Sequence, residues 1–226
     1  MIWQDKGFLL SSNKYNENSS IADFYTENNG KVSGTIFGSS SKKIKNYLLI
    51  GNKFHLNSNL KHDGKTGYFK VEIDEIKTPI FLENKKKLFC IKYVMSLLKI
   101  LTVENQKNKQ IFNLIENFFE ILNYNDFKWV QKLIFWELEL FKSIGYDIDF
   151  KNYVKKINDN GTEKFIVEND NKIIPNFLIN KNINIVNHDD VIKGFTIVGN
   201  FLDKSILKPN NLNFPINRIE FVNSIK

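Results

Sequence analysis

Residues 31–70 read KVSGTIFGSSSKKIKNYLLIGNKFHLNSNLKHDGKTGYFK. This stretch holds eight lysines (Lys31, Lys42, Lys43, Lys45, Lys53, Lys61, Lys65 and Lys70) and one carboxylate, Asp63. It therefore carries the same net charge, +7, as the whole chain of 226 residues. A basic segment inside an otherwise balanced chain marks a face for a polyanion rather than general solubility. The stretch also alternates in polarity. Phe69, Val71 and Ile73 point one way and Tyr68, Lys70, Glu72 and Asp74 the other, the two-residue period of a half-buried strand. Tyr47, Phe54, Tyr68 and Phe69 lie among the lysines. Ammonium groups for phosphates and aromatic rings for bases are the minimum equipment of a single-strand nucleic-acid groove.

Outward from this stretch, short strands are expected at residues 7–12, 21–26, 31–37, 53–57 and 68–74. Asn29-Gly30 gives a hairpin signal between the second and third, and Asp63-Gly64-Lys65 a turn before the last. Five short strands in so few residues predict a small barrel or a meander that closes its edges. The period changes after Pro79. Helices are expected over residues 84–101, 107–122 and 126–144, the last ended by Gly145 and carrying Trp129, Leu133, Trp136 and Leu140 on one face. That stripe reads as core. Residues 146–187 read as irregular, with a turn at Asn160-Gly161 and a breaker at Pro175; helices follow at 189–206 and, entered through Pro215, at 216–225. The fold class is α+β: a β domain over residues 1–80 and a helical domain over 81–226 with an irregular insertion at about 146–187.

Composition narrows the function. The chain is 42% hydrophobic with 20 phenylalanines, enough for a real core, and no run of 18 uncharged apolar residues predicts a membrane span. The first residues lack a basic segment leading into an apolar one, so a cytoplasmic protein is expected. One cysteine, Cys90, makes neither an internal disulfide nor a cysteine-rich zinc site, and it reads as a core thiol. His55, His62 and His188 fall in no nucleophile or metal spacing, and the sequence has no phosphate-cradling glycine loop with Lys-Ser/Thr and no HExxH. Glu137 and Glu139 sit on different helix faces, and Asp189-Asp190 reads as negative charge at a helix N-terminus. No catalytic residue, metal or cofactor is assigned. The binding candidates are Lys31, Lys42, Lys43, Lys45, Lys53, Tyr68 and Lys70. Within them, 38–45 form a small-residue turn presenting three lysines, and Lys53 and His55 share a strand face matching that of Tyr68 and Lys70. An RNA-binding protein of translation and a metal-dependent nuclease using Asp63 or Asp189-Asp190 are the rival readings.

The order Gly7-Phe8-Leu9-Leu10, Ser19-Ser20-Ile21-Ala22-Asp23-Phe24-Tyr25-Thr26, Gly30, Gly34 and Gly38 before a basic cluster resembles the N-terminal domain of the bacterial RecO family. Glu137-Leu138-Glu139-Leu140-Phe141 followed by Ile144-Gly145-Tyr146 is similar to that family's helix end, and 194–202 (GFTIVGNFL) to a stretch near the C-terminus of alphaproteobacterial members. The resemblance implies an OB-fold followed by a helical domain. It also implies a non-enzymatic mediator that binds single- and double-stranded DNA, anneals complementary strands, and acts with RecR and with the single-strand-binding protein SSB, whose acidic tail some members hold. Many members carry a four-cysteine zinc module after the Leu-Gly-Tyr helix. Residues 147–172 hold no cysteine here, so the residues for that zinc are lacking. Basic residues found in some relatives before the Glu-Leu motif are replaced by Ile134 and Phe135, which leaves Lys128 and Lys132 as the nearest cations for an SSB tail.

Overall fold

The computed structural model describes residues 2–59, 67–124, 127–159, 162–167, 173–181 and 187–226. Its chain divides into two units, Met1–Glu116 with Pro215–Ile225, and Asn117–Phe214. The turns read at Asp63-Gly64-Lys65 and Asn160-Gly161 lie outside the described residues, as do Lys61, His62, Asp63 and Lys65.

Strand β1 (Ile2–Asn16) is long because it serves two neighbours. Its first half pairs with β4 (Lys53–Asn59) and its second half with β2 (Ser19–Thr26). A register shift between Leu9 and Ser11 lies between the two halves, the kind of bulge that bends a strand at a barrel corner. β2 pairs with β3 (Gly30–Phe37), β4 with β5 (Tyr68–Glu75), and β3 meets β5 in parallel at Thr35 and Tyr68. The barrel closes in the order β1-β2-β3-β5-β4. This is the OB-like barrel, followed by helices, that the sequence predicts.

Alternation places Leu9, Ala22, Phe24, Val32, Ile36, Phe54, Leu56 and Phe69 in one core. Phe24 stands edge-on to both Phe54 and Phe69, with centroids 5.8 and 5.7 Å away. Gly34 faces the Phe69 ring so closely that a Cβ there would lie 2.5 Å from a ring carbon. The β2–β3 hairpin forms, but its loop is Glu27-Asn28-Asn29, and Gly30 at φ +66° is already paired with Thr26. Asp5 holds that loop: its carboxylate accepts from the Asn28 backbone N–H and from the side-chain amides of Asn28 and Asn29.

After β3 the chain makes one helical turn, α1 (Lys42–Lys45). Ile44 and Leu48 pack against the barrel core. Helix α2 (Lys85–Leu101) starts at Asn84, whose side chain accepts from the Lys87 N–H, and it buries Cys90. Helix α3 (Lys109–Leu122) follows and runs across the division between the units. The final helix, α7 (Ile216–Ile225), returns to α2: Phe221 stacks on Tyr93 at 5.9 Å and the Arg218 Nε–H donates to the Tyr93 hydroxyl at 3.2 Å. The expected boundary at residue 80 falls between β5 and α2, whereas the first compact unit also takes in α2, the start of α3 and α7.

In the second unit, α4 (Lys128–Ser143) buries the expected face of Trp129, Leu133, Trp136 and Leu140. Residues 146–187 are not irregular throughout. They form a small antiparallel sheet, β6 (Val154–Asp159), β7 (Thr162–Val167) and β8 (Ile173–Ile174), followed by a short helix α5 (Asn176–Asn180). Residues 155–158 of β6 are all exposed, so no buried face imposes the alternation that reveals a strand. Helix α6 (His188–Phe201) begins at Asn187, whose side chain accepts from the Asp190 N–H, and its first turn carries Asp189 and Asp190. It continues as a π-helical turn over Leu202–Leu207. A Cβ on Gly194 would lie 2.7 Å from the Phe177 ring and 3.0 Å from Ile134. That close approach is why glycine stands there.

Candidate nucleic-acid interface

The lysines of the basic stretch divide into two groups. Lys53 is 8% exposed, although a solvent-facing site is expected for it. The register shifts between Lys53 and Phe54, so Lys53 leaves the alternation that turns His55 outward. Its ammonium lies between the Phe8 and Phe112 rings, 5.5 and 5.6 Å from their centroids, and is paired with Glu75 and Glu116. Burial pulls its pKa down, but hydrogen bonds to Glu116 and Glu75 outweigh this and hold it above the ordinary lysine value. Lys53 is thus a structural cation, not a phosphate contact. His55 keeps the face of Tyr68 and Lys70, opposite Glu72, but its Nε2 lies 2.8 Å from Asp74.

Lys31 is engaged too. Its ammonium donates to the carbonyl of Lys99 in the last turn of α2 at 2.9 Å, where the helix dipole favours a cation. Burial lowers its pKa, and Glu104 and Asp23 oppose the shift. Beside it, Asp23 accepts from Ser11 and Ser33 and pairs with Lys99 at 2.6 Å. Burial raises the Asp23 pKa, but the contacts with Lys99 and the two serines bring it below the ordinary aspartate value. Lys31 stands at the start of β3, about 20 Å along the strand from α1 at its far end.

Lys42, Lys43 and Lys45 are different. All three are exposed, and none has an ion-pair partner among the described residues. With Ile44 turned toward the core, the single helical turn leaves the three lysines on its outer side. The loop before them is tied to the β1–β2 hairpin: the Gly38 N–H donates to the Asn18 carbonyl at 2.7 Å, the Ser20 and Ser39 hydroxyls lie 2.9 Å apart, and Ser40 donates to Asn18. This brings Lys14, near the end of β1, to the same barrel end.

Aromatic rings stand at this end as well. Phe37, the last residue of β3, is 63% exposed and packs on Tyr68 with centroids 5.9 Å apart; the Asn59 side-chain amide donates to the Tyr68 hydroxyl. Tyr15 beside Lys14 is 66% exposed, and Tyr47 follows α1. Lys70 lies two residues from Tyr68, exposed and opposite Asn57. Tyr68 and Lys70 therefore border the α1 end, whereas Lys31 and Lys53 do not. The sequence reading missed Lys14, Tyr15 and Phe37; the signal was a strand that ends in an aromatic just before the serine–lysine run. In the second unit Lys128 is exposed on the first turn of α4, and the Lys132 ammonium lies 4.6 Å from the Tyr124 ring centroid.

Among the described residues no group of histidine, cysteine and carboxylate side chains is arranged to hold a metal ion, and no helix is long and apolar enough to cross a membrane. Two family models match the chain: "Recombination protein O N terminal" over residues 1–73 and "Recombination protein O C terminal" over residues 82–206. Curated proteins named DNA repair protein RecO align with it. The one from Ehrlichia chaffeensis is 26% identical over 72% of this chain and 66% of its own length. That from Bartonella quintana is 21% identical over 98% and 96%, and that from Rhodopseudomonas palustris 22% over 100% and 96%. The first matched segment covers the barrel and the second runs from the approach to α2 into the π-helical turn, so both halves of the fold are accounted for: the chain belongs to the RecO family of DNA recombination and repair proteins.

Proposed function

We propose that this chain binds single- and double-stranded DNA without reading sequence, anneals complementary strands, and acts in recombinational repair with RecR and SSB. The observation that carries the proposal is the α1 end of the barrel. There Lys14, Lys42, Lys43 and Lys45 stand without ion-pair partners among the described residues, beside the exposed rings of Tyr15 and Phe37. Exposed lysines gathered on one surface bind a phosphate backbone, and the rings stack on bases of any identity. A surface that neutralises two strands at once lowers their mutual repulsion and speeds pairing. This is binding rather than turnover, and it suits a cytoplasmic protein working on the nucleoid. An acidic SSB tail is assigned to Lys128 and Lys132 on the outer side of α4; Ile134, fully buried, takes no part. RecR belongs to the reading through the family alone.

Fluorescence anisotropy with matched DNA and RNA 30-mers, followed by strand annealing of SSB-coated DNA with and without RecR, tests the proposal. Tighter binding to DNA and faster annealing are expected. Preference for RNA, or DNA cleavage on addition of Mg²⁺, contradicts it.

A further inference from the structure

A second feature of this barrel end is a cleft of about 260 Å³ between the tip of the β1–β2 hairpin and the loop from β3 to α1. Ser19 and Ser39, 2% and 6% exposed, stand at its floor, with Ser20 beside them and Lys14, Lys45 and Glu17 at its rim. The Ser19 hydroxyl is buried with no hydrogen-bond partner. Buried hydroxyls in proteins are nearly always bonded, so an orphan one calls for an explanation. The Ser20 and Ser39 hydroxyls are 2.9 Å apart and either can be the donor. One proton lies between them, which leaves the other free to turn into the cleft. The Ser40 hydroxyl donates to Asn18 and is not available.

The groups available to a ligand are thus the spare hydroxyl donor of the Ser20–Ser39 pair and the ammoniums of Lys14 and Lys45, with the unbonded Ser19 hydroxyl beneath the cleft surface. Neither lysine has an ion-pair partner among the described residues. This donor set against the single carboxylate of Glu17 repels a cation and suits an oxyanion with several acceptor oxygens. We propose that this cleft is a seat for a phosphoryl group, the terminal phosphate of a nucleic-acid strand. Clefts that enclose whole small molecules start at roughly 300 Å³. This one takes a phosphoryl group and its adjoining sugar, not a phosphodiester flanked by sugars on both sides. The seat stands on its own geometry; the strand as source of the phosphate rests on the proposed DNA binding.

The test uses the full chain and five-nucleotide single strands bearing a 5′-phosphate, a 3′-phosphate or neither, at matched ionic strength, with inorganic phosphate as competitor. One terminally phosphorylated strand is expected to bind about tenfold tighter than the bare one, the size of a charge-assisted hydrogen-bond set. Inorganic phosphate should abolish the difference. Ser19→Ala and, independently, Ser39→Ala should reduce it severalfold, and Glu17→Gln should enlarge it. Ser19→Ala should keep the wild-type melting temperature, because the hydroxyl it removes makes no internal bond. Equal affinity for all three strands, or an advantage that survives both serine substitutions, overturns the seat. If the advantage persists while Lys42→Ala/Lys43→Ala leaves 30-mer affinity unchanged, the seat stands and the proposed DNA surface falls.

Discussion

At one end of the β1–β4–β5 wall, Lys6, Lys53, Lys77 and His55 stand against Asp74, Glu75 and Glu116. At the end formed by the hairpin tip and α1, Lys14, Lys42, Lys43 and Lys45 stand with Glu17 as the nearby carboxylate. Both ends are rich in lysine, but only the second keeps its positive potential. In the first, every ammonium is within a few ångströms of a carboxylate, and Lys53 is buried. Charge counted along a sequence is therefore a poor guide to field. The partners that neutralise Lys53 come from β5 and from α3, beyond the basic stretch.

The largest expected effect is at the neutralised end. Lys53→Met removes the more buried of the two cations that Glu75 and Glu116 share, the other being Lys77, which should cost about 2 kcal/mol; the value is set below that of a fully buried pair because Lys77 stays and both carboxylates keep a third or more of their exposure. Thermal denaturation measures it, and DNA affinity of the folded fraction should not change. At the open end, Phe37→Ala removes a candidate stacking ring. It should weaken single-strand binding about fivefold, the lower range for one base–aromatic contact, with little change in melting temperature; the reverse pattern would make Phe37 a packing residue.

A third expectation concerns acid. The folded pKa of Asp23 and of Glu75 lies below the ordinary values of 3.8 and 4.5, Asp23 through Lys99 and its serines against the effect of burial, Glu75 chiefly through its hydrogen bond to Lys77. A carboxylate with a depressed folded pKa adds stability above its unfolded value and loses it as pH falls through the folded one. Melting temperature should drop as pH is lowered from 5 towards about 3, and Asp23→Asn should flatten that drop. The smallest effect is expected for Lys31→Met, below about 1 kcal/mol for one partly buried cation on a helix terminus, with DNA binding intact. Loss of affinity there would return Lys31 to the interface.

The barrel was legible because alternation, an Asn-Gly signal and close glycines all pointed to short paired strands. Gly34 against Phe69 and Gly30 at positive φ are physical requirements that a sequence displays directly. Three things were not legible. The β6–β7 sheet lacks a buried face to impose a period. The engagement of Lys31 and Lys53 depends on Lys99 and Glu116, distant in sequence. The contribution of Lys14, Tyr15 and Phe37 to the α1 end depends on strand register, which brings Lys14 opposite Ser20 and Phe37 opposite Ser19.

The salt dependence of single-strand affinity weighs the two kinds of lysine most directly. Each phosphate contact contributes about 0.7 to the slope of log affinity against log salt, so four contacts predict roughly a 50-fold fall between about 50 and 200 mM. Lys42→Ala/Lys43→Ala/Lys45→Ala should lower that slope by about 2. Lys85→Ala/Lys86→Ala/Lys92→Ala, which removes three exposed charges from α2, should leave it nearly unchanged. Equal loss of slope in the two triple variants would mean that net charge alone draws the strand, and would contradict a DNA surface at the α1 end of the barrel.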